Sequence, residues 1–167
     1  GDSLGMVVQG QETTVPVNLD EMVYHGACVA RARRQALILV DMPFLTYATP
    51  DLALASAGRL MREGGAQMVK LEGGAPFVET VHRLTANGVP VCAHLGLLPQ
   101  SIHRLGGYRY QGRDRTSALA ILEDAVALQE EHDVAHLVLL RPGLYDIGGF
   151  LRADARNLQQ ALGVFFD

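Results

Sequence analysis

The chain has 167 residues, 49% of them hydrophobic, and a formal net charge of −4. That is enough apolar material for one ordinary domain with a packed core, while an acidic chain with few aromatics and no tryptophan offers neither the basic stripe nor the stacking platform a nucleic-acid partner needs. No apolar run approaches the roughly 18 residues of a membrane span, no secretory pattern opens the chain, and Cys28 and Cys92 share no metal-ligand spacing, so both are expected as buried free thiols of a cytoplasmic protein.

The chain opens on Gly1-Asp2-Ser3, which reads as the loop after a strand. Arg31, Arg33 and Arg34 form a short basic cluster, expected on one solvated loop. Ala36 to Val40 is a continuous apolar run of the kind found in strands buried on both faces, and it stops at Asp41. Pro50 to Glu63 has helical spacing, with Thr49 as N-cap, Pro50 at the first helical position and Gly64-Gly65 as the stop. Its expected inner side carries Leu52, Leu54, Ala55, Leu60 and Met61.

The cycle then repeats. Gln67 to Leu71 predicts a strand running into Lys70-Leu71-Glu72-Gly73-Gly74, and Pro76 to Asn87 a helix ended by Gly88. Val89 to Ala93 predicts a strand that reaches His94, followed by a long loop from Gly96 to Asp114 containing Gly106-Gly107. Thr116 to Glu131 predicts a long helix and Val134 to Leu140 a last strand. Alternating helices and uninterrupted apolar strands mean an α/β fold with a parallel sheet. No GxGxxG follows a strand, which disfavours a dinucleotide-binding open sheet. Asp41, Lys70 with Glu72, and His94 all fall at the carboxyl ends of strands, the rim that forms the active site of a (β/α)8 barrel. Only four strands are legible, so the barrel is expected to be incomplete in this chain.

Asp2, Asp41 and Glu72 make an all-oxygen set suited to a hard cation such as Mg2+, although each alone could be a cap or loop acceptor. Lys70 late in a buried strand either pairs with Glu72 or grips a substrate carboxylate. His94 is either a satisfied core histidine or a proton-handling group. His25, His82, His103, His132 and His136 lack ligand spacing, and Gly106-Gly107 is a weak phosphate-cradle signal because no helix follows at once.

Taken in order, several short runs resemble the ketopantoate hydroxymethyltransferase (3-methyl-2-oxobutanoate hydroxymethyltransferase) family. They are Gly1-Asp2-Ser3-Leu4-Gly5-Met6, Pro16-Val17, Tyr24-His25, Val40-Asp41-Met42-Pro43-Phe44, Val69-Lys70-Leu71-Glu72-Gly73-Gly74 and Val91-Cys92-Ala93-His94-Leu95-Gly96-Leu97. Pro99-Gln100-Ser101, Gly106-Gly107-Tyr108 and Gln111-Gly112-Arg113 complete the set. The resemblance runs to about Leu139, with 140–167 divergent, inside one partial barrel domain over 1–167.

The resemblance implies a (β/α)8 TIM barrel of the phosphoenolpyruvate-mutase-like superfamily, assembled as a homo-oligomer, in that family a decamer. It implies transfer of a hydroxymethyl group from 5,10-methylenetetrahydrofolate to 3-methyl-2-oxobutanoate, giving ketopantoate for pantothenate biosynthesis through a Mg2+-stabilised enolate. Asp2 and Asp41 would bind the Mg2+, with Glu72 reaching it through water. Ser3, Asp41 and Lys70 would hold the substrate, and His94 would hydrogen-bond in the pocket, Lys70 and His94 being the catalytic pair.

The family's proposed base, a glutamate at the end of the strand after the long helix, is replaced by Leu140. Beyond it, Ile147-Gly148-Gly149 and Arg152 to Leu158 resemble only the family's far C-terminal loop and helix, as though roughly sixty residues of barrel were absent between Leu140 and Leu144. Two other readings therefore stand beside the transferase: a non-catalytic truncated homologue without the base, and a related metal-dependent lyase or mutase of another 2-oxo acid.

Overall fold

The computed structural model describes residues 1–130, together with the backbone of strands at 137–140 and 165–166. The expected C-terminal features, Ile147 to Gly149 and Arg152 to Leu158, lie outside the described residues, as do His132 and His136 and the start of the strand expected from Val134. The chain forms two compact units, the first made of Gly1–Leu71 with Glu79–Val91, and the second of Glu72–Val78 with the residues from Cys92 onward.

The first unit begins with a single helical turn, α1 (Leu4–Val7), and a 14-residue helix, α2 (Leu19–Ala32). The sequence reading missed α2, although its start carries a capping box. Glu21 N–H donates to the Asn18 side chain at 3.0 Å and Asn18 N–H donates back to the Glu21 carboxylate at 2.8 Å, satisfying two otherwise orphaned amides. Arg31 therefore sits in the last turn of α2 and Arg33 caps it, rather than both riding on a loop. Cationic side chains there complement the negative end of the helix dipole.

Strand β1 (Leu39–Asp41) pairs in parallel with β2 (Met68–Glu72), with Leu39 opposite Met68, Val40 opposite Val69 and Asp41 opposite Lys70. Both strands run one residue past the apolar runs that predicted them. The ladder is a backbone property, and it continues through a polar side chain that has a partner.

Between them, α3 (Pro50–Arg62) starts as predicted, with Thr49 accepting from Leu52 N–H and proline at the first position. Its inner face differs from the expectation. The buried residues are Ala53, Ser56, Ala57 and Leu60, whereas Leu52 is 44% exposed and Ala55 also faces solvent. A row of small residues lets the helix approach closely, so its bulkier leucine at 52 is displaced outward.

The same economy of space appears at Gly26 of α2. A β-carbon there would lie 2.9 Å from the Gly64 carbonyl oxygen and 3.6 Å from its Cα, so α2 rests on the bare backbone that ends α3. The helix expected over Pro76 to Asn87 is split into a 3-10 turn at Ala75–Phe77 and α4 (Val78–Thr85), whose Val81 and Leu84 are buried.

In the second unit, β3 (Val91–Leu95) pairs in parallel with β4 (Leu137–Leu140), and β4 with β5 (Phe165–Phe166). The expected long loop contains a 3-10 turn at Pro99–Ser101 and the short α5 (Ile102–Leu105). Gly106 closes α5 in the left-handed conformation (φ 66°), which glycine adopts without steric penalty, so this glycine pair punctuates a helix instead of opening one.

Helix α6 (Arg115–Glu130) starts where Asp114 accepts from Ser117 N–H. Further along it, the Asp124 carboxylate accepts from Ala75 N–H at 2.9 Å and fills the space a side chain at Gly74 would need. Cys92 is fully buried in β3, while Cys28, expected inside, is only half-buried beside Arg31.

Gly26→Ala is expected to force α2 away from the Gly64 backbone and to lower unfolding free energy by about 1–3 kcal/mol, the usual cost of overpacking a rigid contact. Urea denaturation of the two chains measures it, and an unchanged midpoint would contradict the close approach.

Candidate active site

Two polar clusters are buried at the carboxyl ends of the strands. In the first unit, Asp2, Asp41 and Lys70 are 2%, 6% and 9% exposed. Lys70 Nζ lies 3.1 Å from Asp41 Oδ1, and Asp2 N–H donates to Asp41 Oδ2 at 2.9 Å. Each oxygen of Asp41 thus has its own partner. The parallel register makes this possible: residues directly opposite in adjacent parallel strands project to the same face, and Asp41 stands opposite Lys70.

Burial pushes the Asp41 carboxyl upward. It is outweighed by the Lys70 ammonium, by the Asp2 N–H and by the hydrogen bond from Lys70, so the carboxyl is held below its ordinary 3.8. Asp41 is a carboxylate throughout the physiological range. Gly1 sits against it, and a β-carbon at that position would come within 3.1 Å of Asp41 Oδ2, so a larger residue there would crowd this side of the carboxylate.

Ser3 lies exposed at the start of α1, and its side chain makes no capping hydrogen bond. After β1 the chain turns sharply. Thr46 donates its hydroxyl to the Pro43 carbonyl at 2.7 Å, and Leu45 between them adopts φ 62°, a left-handed conformation that a leucine takes only under constraint. Sequence reading could not have found this, because nothing in the residue type predicts it.

In the second unit, Glu72 and His94 are buried together, with side chains 1% and 5% exposed. Glu72 Oε1 lies 3.2 Å from His94 Nδ1, and Glu72 Oε2 accepts the backbone N–H of Gln100 at 2.9 Å. Gln100 is itself 4% exposed. The sequence pointed to it only as part of the Pro99-Gln100-Ser101 run, without a role, because a main-chain donor leaves no mark in residue type. His94 Nε2 is buried and has no hydrogen-bond partner among the described residues.

The structure therefore gathers Asp2, Asp41 and Lys70 in one cluster and Glu72 with His94 in another. Among the described residues, no three of His, Cys, Asp and Glu are grouped as metal ligands. A hard divalent ion such as Mg2+ commonly takes only one or two protein carboxylates, with water and substrate oxygens completing its shell. Asp2 and Asp41, both buried, oxygen-donating and beside a glycine gap, fit that pattern. The side chain of Leu140 lies outside the described residues, and the backbone of β4 sets Leu140 opposite Leu95. Among the described residues no helix is long and apolar enough to cross a membrane.

The sequence model of the family described as ketopantoate hydroxymethyltransferase matches residues 1–140. The chain is 65% identical over 130 residues to a Nitrosococcus oceani protein named 3-methyl-2-oxobutanoate hydroxymethyltransferase, an alignment covering 78% of this chain and 49% of that one. Proteins of the same name from Methylococcus capsulatus (62% over 130 residues; 78% and 48% covered) and Halorhodospira halophila (60% over 129 residues; 77% and 47% covered) are similarly close. The chain spans about half the length of these curated relatives.

Replacing Lys70 with methionine is expected to leave Asp41 buried without its cation. Its carboxyl should then titrate higher than in the unaltered chain, since burial is no longer opposed by the ammonium. Stability should fall by about 3–5 kcal/mol. In the unaltered chain the folded carboxyl is depressed, so its contribution is complete above 3.8 and is lost as pH falls through the lower folded value. Carboxyl 13C titration and urea melts of both chains read these effects, and an unmoved Asp41 titration would rule out the pairing.

Proposed function

The chain belongs to the ketopantoate hydroxymethyltransferase family, and from that footing we propose that it serves the transfer of a hydroxymethyl group from 5,10-methylenetetrahydrofolate to 3-methyl-2-oxobutanoate, giving ketopantoate for pantothenate synthesis. The observation that carries the proposal is the Asp41–Lys70 pair, seated by strand register and completed by the Asp2 amide. It supplies an ionised, buried oxygen donor beside a fixed cation, which is what recognition of a small 2-oxo acid demands. In this proposal the βα repeats of the chain belong to a (β/α)8 barrel. The exposed apolar residues Met6, Val7 and Val8 about α1, and Tyr24 and Val29 of α2, support assembly of cytoplasmic copies into a homo-oligomer.

In this reading Asp2 and Asp41 would hold a Mg2+ ion. When bound, the ion supplies Lewis-acid withdrawal of electron density from the keto oxygen, which acidifies the C3–H and favours the enolate. Lys70 pairs with the substrate carboxylate while retaining Asp41, and the free hydroxyl of Ser3 adds a hydrogen bond to it. Formal charges support the scheme. Two aspartates and one lysine leave a net charge of −1, which a divalent cation and a carboxylate substrate together bring to zero. The C3 proton passes to a base, and the proton acceptors available in the proposed set are His94 and Glu72. The enolate carbon would then form the C–C bond to the one-carbon unit of the folate, whose carbon–nitrogen bonds break with proton return to nitrogen, while one water supplies the oxygen of the new hydroxyl.

A second reading is favoured by Leu140, which occupies the place of the family's base and cannot accept a proton. A chain without that glutamate would bind the metal and the keto acid yet turn over slowly or not at all.

Two experiments separate these readings. Asp41→Ala is expected to weaken Mg2+-dependent binding of 3-methyl-2-oxobutanoate by at least about a hundredfold in calorimetry, and unchanged binding would remove the metal site. Deuterium exchange at C3 of the same acid, measured with Mg2+, tests the chemistry. Leu140→Glu is expected to raise the exchange rate, and no gain in a folded variant would count against Leu140 as the missing base.

A further inference from the structure

His94 poses a problem that its strand position does not solve. The ring is 95% withdrawn from solvent, yet among the described residues only Nδ1 has a partner. A neutral imidazole has two tautomers, each placing its proton on a different nitrogen. Here one nitrogen faces a group that leaves no choice.

The Glu72 carboxylate can only accept. Its Oε2 is occupied by the Gln100 amide at 2.9 Å, which fixes the carboxylate plane from the backbone. Its Oε1 stands 3.2 Å from Nδ1. Nδ1 must therefore carry the proton, and in the neutral ring Nε2 presents a lone pair. That lone pair is the buried atom without a partner. The chain of constraint runs from a main-chain amide, through a carboxylate, to a ring nitrogen, and it ends on an acceptor aimed at no described protein group.

We propose that Glu72 is the positioning residue of His94. Held by the Gln100 amide, it fixes the ring in the Nδ1–H tautomer, so that Nε2 is offered as a hydrogen-bond acceptor to an O–H or N–H donor on a bound ligand. Orientation through an outer carboxylate is the arrangement used to set histidine tautomers in metal sites and catalytic triads. The fixed tautomer stands on geometry alone, while the service of Nε2 to substrate rests on the function proposed above.

The test is 15N NMR of the full chain, labelled on histidine, at pH 8 without substrate or metal. His94 is expected to show one protonated nitrogen, Nδ1, and one bare nitrogen, Nε2. Glu72→Gln keeps the shape and can still accept from Gln100, but its amide can donate as well as accept, so the ring is expected to become a mixture of tautomers. Glu72→Asp, with a shorter reach, is expected to restore the single tautomer only in part.

A protonated Nε2 in the unaltered chain, or the same single tautomer in Glu72→Gln, would overturn the proposal. The first of these outcomes needs no variant and stands even if Glu72→Gln fails to fold. A fixed tautomer without C3 exchange or keto-acid binding would keep the positioning role and remove the enzymatic reading instead. Adding ketopantoate, whose hydroxymethyl O–H is the donor that 3-methyl-2-oxobutanoate lacks, with Mg2+ then reads the ligand side: a shift at Nε2 is expected, and a shift at Nδ1 alone would refute the acceptor role.

Discussion

A buried lysine next to a buried aspartate is the constraint around which the first unit is arranged. Desolvating two charges costs several kcal/mol each, and their attraction offsets this only where geometry is good and the remaining lone pairs are filled. Here strand register provides the geometry and the Asp2 amide fills the second oxygen. Such a pair is weak evidence of stability, since apolar residues of the same volume would often do as well. Its retention makes better sense as readiness for charge: a carboxylate that stays ionised although buried, and an ammonium already in place.

The second unit solves a similar problem by different means. Glu72 there is held by a histidine and a main-chain amide. A hydrogen bond from a backbone amide to a charged acceptor is shorter and stronger than one to a neutral acceptor, and a dry interior strengthens it further. The loop that delivers the amide begins with Pro99, whose fixed φ suits the first residue of the 3-10 turn. Local sequence thus sets the turn, the turn sets the amide, and the amide sets the carboxylate.

Much of this was legible beforehand. Apolar runs located β1, β2 and β3, and the cap at Thr49 located α3, because burial and capping leave marks in residue type. The polar residues at strand ends stood out for the same reason: Asp41, Lys70, Glu72 and His94 interrupt sequences that are otherwise apolar. What escaped had no such mark. Helix α2 is rich in alanine, valine and polar residues without a sharp stripe, and its capping box was passed over. The inner face of α3 was misjudged because close packing favoured alanine and serine over leucine. The role of Gln100 depends on its main chain, and the left-handed Leu45 on the turn around it.

The two cysteines differ in a way that has a practical side. Cys92 lies fully inside β3, two residues from His94, whereas Cys28 sits half-open on α2. A thiol reagent should therefore meet them on separate clocks: Cys28 at the pace of surface chemistry, Cys92 only when the strand opens. The chain carries its own stopwatch for breathing of the strand that bears the histidine, with its reference channel built into the same molecule.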